Sequence, residues 1–420
     1  MDKVVINGGR RLEGQITVSG AKNAVLPILA ATLLTEDKSV IKNVPRVVDV
    51  QTIIKIIEAL GVRVNNEGDR VEVIPGRYTS FTAPYELVST MRASVCVLGA
   101  LLAKVGRARV SMPGGCVIGL RPVDLHLKGL RALGAEIKFN HGYIDAVSSR
   151  LRGADIYLGG AFGSSVLATA NVMMAATLAK GRTVIEGAAC EPEIVDLGNF
   201  LNKMGAGISG HNSPVIVIDG VKRLHGAEHT VIADRIEAGT YMIAGAITKG
   251  DITLKNVCFS HLGAVIDKLK EAGVDILKGN GFLRVRREKE LKPIDVTTLP
   301  YPGFPTDLQA QMTALMTLAG GISIITEKIY PGRFMHVSEL NRMGAEIYIE
   351  GPSAIVKGVK SLSGAPVMAS DLRASAALIL AGLTAKGKTE VSRIYHLDRG
   401  YEKIEDKLSA LGADILRQKE

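Results

Sequence analysis

The sequence predicts an α/β protein assembled from six copies of one β-α-β-β unit. Three observations predict it: glycine-centred turns at one long period, helices apolar on nearly every face, and pairs of short alternating strands. The turn pattern occurs as Leu60-Gly61-Val62, Leu133-Gly134-Ala135, Met204-Gly205-Ala206, Ala272-Gly273-Val274, Met343-Gly344-Ala345 and Leu411-Gly412-Ala413. Its glycines lie 73, 71, 68, 71 and 68 residues apart. A second set, Gly106, Gly181, Gly250, Gly320 and Gly387, recurs at intervals of 75, 69, 70 and 67. Two markers sharing one period define a structural repeat.

Each unit opens with a helix such as Met91 to Lys104 or Asp371 to Lys386. A helix apolar all round belongs in a core. The second glycine is expected to end it in the left-handed conformation, where a side chain is disfavoured. A short strand follows, as in Thr183-Val184-Ile185 or Ile252-Thr253-Leu254. An amphipathic helix comes next, as in Ile53 to Leu60 or Glu402 to Leu411. The Gly-Ala turn then leads into an alternating pair, such as Ala345 to Ile349 and Ala354 to Val356. Six such units of about 70 residues could close as one ring, stack as a solenoid, or divide into two lobes of three.

Composition narrows the class. The chain has 420 residues, 47% of them hydrophobic and 22% charged, with a formal charge of +9. That is a globular composition, not a disordered one. Aromatics make up 4% and Trp is absent, so stacking on nucleic-acid bases has little support. Four scattered cysteines form no disulfide framework, and a reducing compartment is the default. The first residues carry no apolar signal core. The longest apolar stretches, such as Ala93 to Val105, fall short of the ~20 residues of a membrane span. The chain reads as soluble and cytoplasmic.

The repeat also sorts the polar residues. Lys22 and Asn23, Arg92, Asp234 and Arg235, Asp307, Asp371 and Arg373 fall at the starts of the apolar helices. Cys116 and Arg121, Arg333 and Arg399 fall in loops before the amphipathic helices. Helix N-termini favour anions, and added Lys or Arg suits phosphate or carboxylate. The aspartates have an equally good reading as helix caps. Gly382 to Thr389 matches the P-loop spacing, but it closes a helix and opens a strand, the reverse of a phosphate-binding loop. No His/Cys cluster has zinc spacing. Cys116 sits in the loop Met112-Pro113-Gly114-Gly115-Cys116-Val117-Ile118-Gly119-Leu120-Arg121-Pro122. A thiol there could donate a proton or, as thiolate, add to an activated carbon.

Six ordered motifs then point to one family. They are Ser19 to Ala24, the Cys116 loop with Arg121-Pro122-Val123-Asp124-Leu125, Phe304 to Gln309, Arg333 to His336, Asp371 to Ala374, and Asp398 to Tyr401. Across the whole chain the sequence resembles the UDP-N-acetylglucosamine enolpyruvyl transferases. That family transfers the enolpyruvyl group of phosphoenolpyruvate to the 3′-hydroxyl of UDP-N-acetylglucosamine and releases phosphate. The step commits material to peptidoglycan and hence to cell-wall growth and division.

The resemblance implies an inside-out α/β barrel in two lobes of three units. One lobe would comprise 1–21 plus 231–420, the other 22–230, with the active site in the cleft between them. It implies that Cys116 protonates the methylene carbon of phosphoenolpyruvate and is the residue fosfomycin alkylates. Asp307 would take or orient the 3′-hydroxyl proton. Asp371 is a further proton-transfer candidate, and Lys22 also serves catalysis. Lys22, Asn23, Arg121, Arg333, Arg373 and Arg399 would hold phosphoenolpyruvate. Asn23, Arg92, Arg121, Pro122, Val123, Asp124, Leu125, Ser165, Val166, Asp307 and Ile329 would contact the UDP-sugar. No cofactor, metal, nucleic acid or membrane is implied, and the chain is expected to act as a monomer.

One run departs from the family's Ser-Val-Gly-Ala-Thr: here Leu167 replaces the glycine in Ser165-Val166-Leu167-Ala168-Thr169, and Gly163 stands where some members carry Lys. A close backbone approach needing glycine would be obstructed there. Two rival readings are an enolpyruvyl transferase acting on shikimate 3-phosphate and a six-unit ring around DNA. The ring would need basic inner helices, whereas these are apolar.

Overall fold

The six Gly-Ala/Val turns are six copies of one helix ending. The computed structural model describes residues 2–76, 78–112 and 123–419. Gly61, Gly134, Gly205, Gly273, Gly344 and Gly412 have φ of 95, 94, 95, 90, 87 and 96°. Each glycine N–H donates three residues back, and the next N–H donates five back: Gly134 N to Arg131 O is 2.9 Å and Ala135 N to Leu130 O is 3.0 Å. This double closure is the Schellman motif, and it buries the apolar residue after the glycine against the last turn. It explains why the repeat reads apolar-Gly-apolar.

The second glycines behave differently from expectation. Only Gly106 caps its helix directly, at φ 76°. Gly181 and Gly387 are left-handed but lie in turns beyond helices that end at Ala176 and Thr384. In the fourth unit Lys249 takes the left-handed position, at φ 53°. Gly250 is needed there for space, since a Cβ would come 2.6 Å from the Leu12 carbonyl oxygen.

The described residues divide into two units, one holding 2–19 and 233–419, the other 20–112 and 123–232. Each has its own apolar core. In the continuous unit, helices Lys22–Ala31, Val97–Val105 and Val166–Ala176 touch one another at the centre. In the discontinuous unit, Arg235–Ile247, Gln309–Met316 and Leu372–Thr384 do the same. Every residue of Arg235–Ile247 except the first is buried. Strands wall each helix trio with alternate residues turned inward, as Thr183 and Ile185 are in Arg182–Glu186. Helices inside and sheets outside make each unit an inside-out α/β barrel.

Six four-stranded sheets share one order. The strand after each buried helix pairs antiparallel with one strand of the hairpin and parallel with a strand from elsewhere. For Ile322–Thr326 these neighbours are Ser353–Lys357 and Val296–Thr297. The parallel partner closes each unit on itself. Glu228–Thr230, the last strand of the continuous unit, pairs with Ser39–Lys42, its first. In the other unit Asp2–Asn7 lies between Lys388–Ser392 and Asp414–Lys419, while Glu13–Thr17 pairs with Asp251–Lys255. The N-terminal segment thus supplies two strands that the C-terminal half lacks.

The P-loop look-alike falls as expected, across the end of helix Leu372–Thr384 and the start of strand Lys388–Ser392. Among the described residues no helix is long and apolar enough to cross a membrane. No cluster of three or more of their His, Cys, Asp and Glu side chains is arranged to hold a metal ion.

Candidate functional site

The starts of the buried helices carry the candidate residues, but they are not six equivalent anion sites. Asp234 and Asp371 cap their own helices: Asp234 Oδ1 accepts from Ile236 N at 2.8 Å, and Asp371 Oδ1 from Arg373 N at 2.8 Å. Ser165 caps Val166–Ala176 by accepting from Ala168 N at 3.4 Å. The helix starts at Ala21, Met91 and Pro305 have no side-chain cap. The capping role therefore holds for Asp234 and Asp371 and fails for Asp307.

In the discontinuous unit Asp307 sits in the 3-10 turn Thr306–Leu308 that opens the middle buried helix. Arg333 Nη1 donates to its Oδ1 at 2.9 Å, and Arg373 Nη2 to its Oδ2 at 2.9 Å. Both arginine side chains are nearly enclosed, at 4% and 3% exposure, while Asp307 keeps 26%. Burial alone would raise the Asp307 carboxyl. The charges and hydrogen bonds of Arg373 and Arg333 outweigh it and hold the group well below the usual carboxylate range. The cluster carries one net positive charge and presents an ionised carboxylate beside two guanidiniums. It suits an anionic ligand that also brings a hydroxyl.

A buried polar network fixes this cluster to all three helix starts. The two N–H groups of Gln311 Nε2 are shared among the Asp307 carbonyl at 3.0 Å, Thr240 Oγ1 at 3.2 Å and the Tyr401 hydroxyl at 3.2 Å. Arg373 lies over the Tyr401 ring, 5.4 Å from its centroid. Arg399 ends the 3-10 segment Ile394–Arg399, and its charge adds to burial in lowering the His396 imidazole. His336, just past Arg333, is pushed down to about 4, first by burial. Ile329 lies in the turn before Arg333, its N–H bonded to Glu327 Oε1 at 2.8 Å.

In the continuous unit Lys22 opens helix Lys22–Ala31 and pairs with Asp49 at 3.0 Å. Asp49 is buried on the amphipathic helix Val48–Ala59. Asn23 follows Lys22, half-buried. Arg92 starts the 3-10 segment Arg92–Cys96. Burial pushes His126 down to about 3, and the Arg92 charge adds to the effect. His126 lies in the first turn of Asp124–Ala132 and meets Asn171 at 3.1 Å. Val123 is buried before that helix. Leu125 approaches Gly160, in the small hairpin of Gly159–Gly160 with Gly163–Ser164. This brings the 123–125 segment beside the stretch that leads into Ser165 and Val166.

The departing run has a local explanation. Gly163 has φ 97°, which favours glycine over Lys. Leu167 lies in the first helical turn, partly buried on the unit's core. Cys116, Arg121 and Pro122 lie outside the described residues. Sequence reasoning missed Asp49, Glu327, Thr240 and Gln311. Thr306 and Tyr401 stood inside quoted motifs without a role.

Comparison with known proteins identifies the family and the fold. The family model described as EPSP synthase (3-phosphoshikimate 1-carboxyvinyltransferase) matches residues 6–408. A UDP-N-acetylglucosamine 1-carboxyvinyltransferase of Geotalea uraniireducens (strain Rf4) is 56% identical over 420 residues, covering 100% of both chains. Its namesake in Methylacidiphilum infernorum (isolate V4) is 54% identical, covering 99% of both. Among solved structures, the enolpyruvyl transferase NikO from Streptomyces tendae superposes with a TM-score of 0.90 at 25% identity, covering 99% of both chains. EPSP synthase from Acinetobacter baumannii, at 17% identity with full coverage of both chains and a TM-score of 0.77, shares the fold.

Proposed function

The chain belongs to the EPSP synthase family of enolpyruvyl transferases, and on that premise we propose that it transfers the enolpyruvyl group of phosphoenolpyruvate to the 3′-hydroxyl of UDP-N-acetylglucosamine. The observation that carries the acceptor is full-length identity of 53–56% to relatives named for that reaction. The shikimate-specific structure shares only 17%.

The reaction is an addition followed by an elimination. The sugar 3′-oxygen bonds to C2 of phosphoenolpyruvate while C3 takes a proton. The C2–O bond to phosphate then breaks as C3 gives a proton up. Cys116 is the acid toward C3. Asp307 accepts the hydrogen bond of the 3′-hydroxyl and orients it; although two guanidiniums make it a weak base, it takes the hydroxyl proton as the bond from the 3′-oxygen to C2 forms. Arg333 and Arg373, with Lys22, Asn23, Arg121 and Arg399, hold the phosphate and carboxylate of phosphoenolpyruvate and stabilise the charge that develops. Asp371 remains a candidate for the C3 proton during elimination, although one oxygen is committed to its helix. Arg92, the 121–125 segment, Ser165, Val166 and Ile329 contact the UDP-sugar. The protein acts as a cytoplasmic monomer that supplies cell-wall precursor, and fosfomycin alkylates Cys116.

Phosphate release from phosphoenolpyruvate tests the reading. It should require UDP-N-acetylglucosamine and nearly vanish in Cys116→Ser, whose hydroxyl is a far weaker acid. Release with shikimate 3-phosphate alone would overturn the acceptor.

A further inference from the structure

We infer that Glu327 is a positioning residue for this reaction, holding Arg333 and Asp307 through Thr306 while pinning the Ile329 turn through its own backbone bonds. The inference rests on the proposed roles of Asp307, Arg333 and Ile329.

Glu327 follows strand Ile322–Thr326 and is fully buried. Its Oε1 accepts from Thr298 Oγ1 at 2.7 Å, Ile329 N at 2.8 Å and Tyr330 N at 2.9 Å. Its Oε2 accepts from Thr306 Oγ1 at 2.8 Å. All four bonds arrive from donors, which matches a carboxylate with acceptors only. A hydroxyl has one proton, and Thr306 commits it to Glu327. The Thr306 oxygen then faces Arg333 as an acceptor and receives Nη1 at 3.0 Å. That same Nη1 donates to Asp307 Oδ1 at 2.9 Å. The directions of these bonds follow in turn from the carboxylate at 327.

The second arm is the turn. The bonds from Ile329 N and Tyr330 N fold the chain back over Glu327. Lys328 N adds a bond to Thr298 Oγ1 at 3.0 Å. One buried side chain therefore sets both the proposed phosphoenolpyruvate arginine and the proposed sugar contact. A carboxylate that only stabilised the strand end would not link these two.

Kinetics of two variants separate positioning from mere stability. Glu327→Gln keeps the shape and can still accept the turn amides, but its amide nitrogen leaves the Thr306 proton without an acceptor. Thr306→Val removes the linking hydroxyl at nearly unchanged volume and leaves Glu327 Oε2 and Arg333 Nη1 each short of one partner. Phosphate release at saturating substrates should fall about 10- to 100-fold in each, the scale of small misplacements at a reacting centre. Thr306→Val should leave KM for UDP-N-acetylglucosamine within about twofold and still unfold in one cooperative transition, at a lowered midpoint. The double variant should be no more than about threefold slower than Glu327→Gln, since both changes cut one path. Wild-type kcat in Thr306→Val, or multiplying effects in the double variant, would overturn the inference. If Glu327→Gln fails to fold, Thr306→Val alone decides. A wild-type protein that releases no phosphate would instead sink the reaction assignment, and this inference with it.

Discussion

Asp307 shows how a residue can be conspicuous in the sequence and still change its meaning in the fold. Its place before an apolar helix suits a cap, yet its oxygens bind Arg333 and Arg373 instead. Replacing it with Asn would leave two buried guanidiniums without their direct ion-pair partner. Breaking such a pair costs about 3 kcal/mol. The folded carboxyl lies below its unfolded value of ~3.9, so its contribution is complete above that pH and fades as pH falls through the folded value. Urea unfolding should thus separate wild type from Asp307→Asn at neutral pH, with the gap narrowing only as pH falls below the unfolded value of ~3.9. Equal stability at neutral pH would remove the ion pairs from the account. Legibility at this scale depended on neighbours in sequence. Lys22 and Asp307 stood in motifs, whereas Asp49 is one acidic residue on an ordinary amphipathic helix. It meets Lys22 only after two helices have packed.

Among the elements, glycine serves two separate purposes. Gly134 has φ 94° and no atom within 4 Å of a Cβ placed on it. Gly134→Ala should therefore cost about 1 kcal/mol, from backbone strain alone. Gly99 has no such φ, but a Cβ there would overlap the Asn171 carbonyl oxygen and side-chain oxygen on the next buried helix. Asn171 Oδ1 also accepts from Gly99 N at 2.6 Å. Gly99→Ala should cost about 3 kcal/mol by forcing the helices apart. Denaturant titration of the two variants checks the ordering, and equal losses would contradict it. The first purpose was readable because it repeats six times with one pattern. The second was not, because its partner lies 72 residues away in sequence. The second glycine set misled for a related reason: Gly250 recurs with the others but answers to the Leu12 carbonyl rather than to φ.

At the scale of the whole molecule, each unit is closed by a strand from far along the chain. The six-fold repeat and the apolar helices could be read in advance. The closures could not, since a short alternating strand fits any sheet edge equally well. In Asp2–Asn7, Val4 and Ile6 are fully buried between Lys388–Ser392 and Asp414–Lys419. Removing residues 2–7 should expose backbone amides of 388–392 and 414–419 to rapid hydrogen exchange while the protection of 20–112 and 123–232 persists. Uniform protection in the truncated chain would contradict a separately closed unit.

The same closure has a consequence for synthesis on the ribosome. Asp2–Asn7 emerges more than 370 residues before either of its neighbours, which begin at Lys388 and Asp414. The continuous unit has every strand it needs once Thr230 has cleared the exit tunnel. The strand Asp2–Asn7 must wait unpaired until those residues have been made. A nascent chain therefore carries one finished unit tethered to an apolar strand still without its partners, the state in which a chaperone has most to protect.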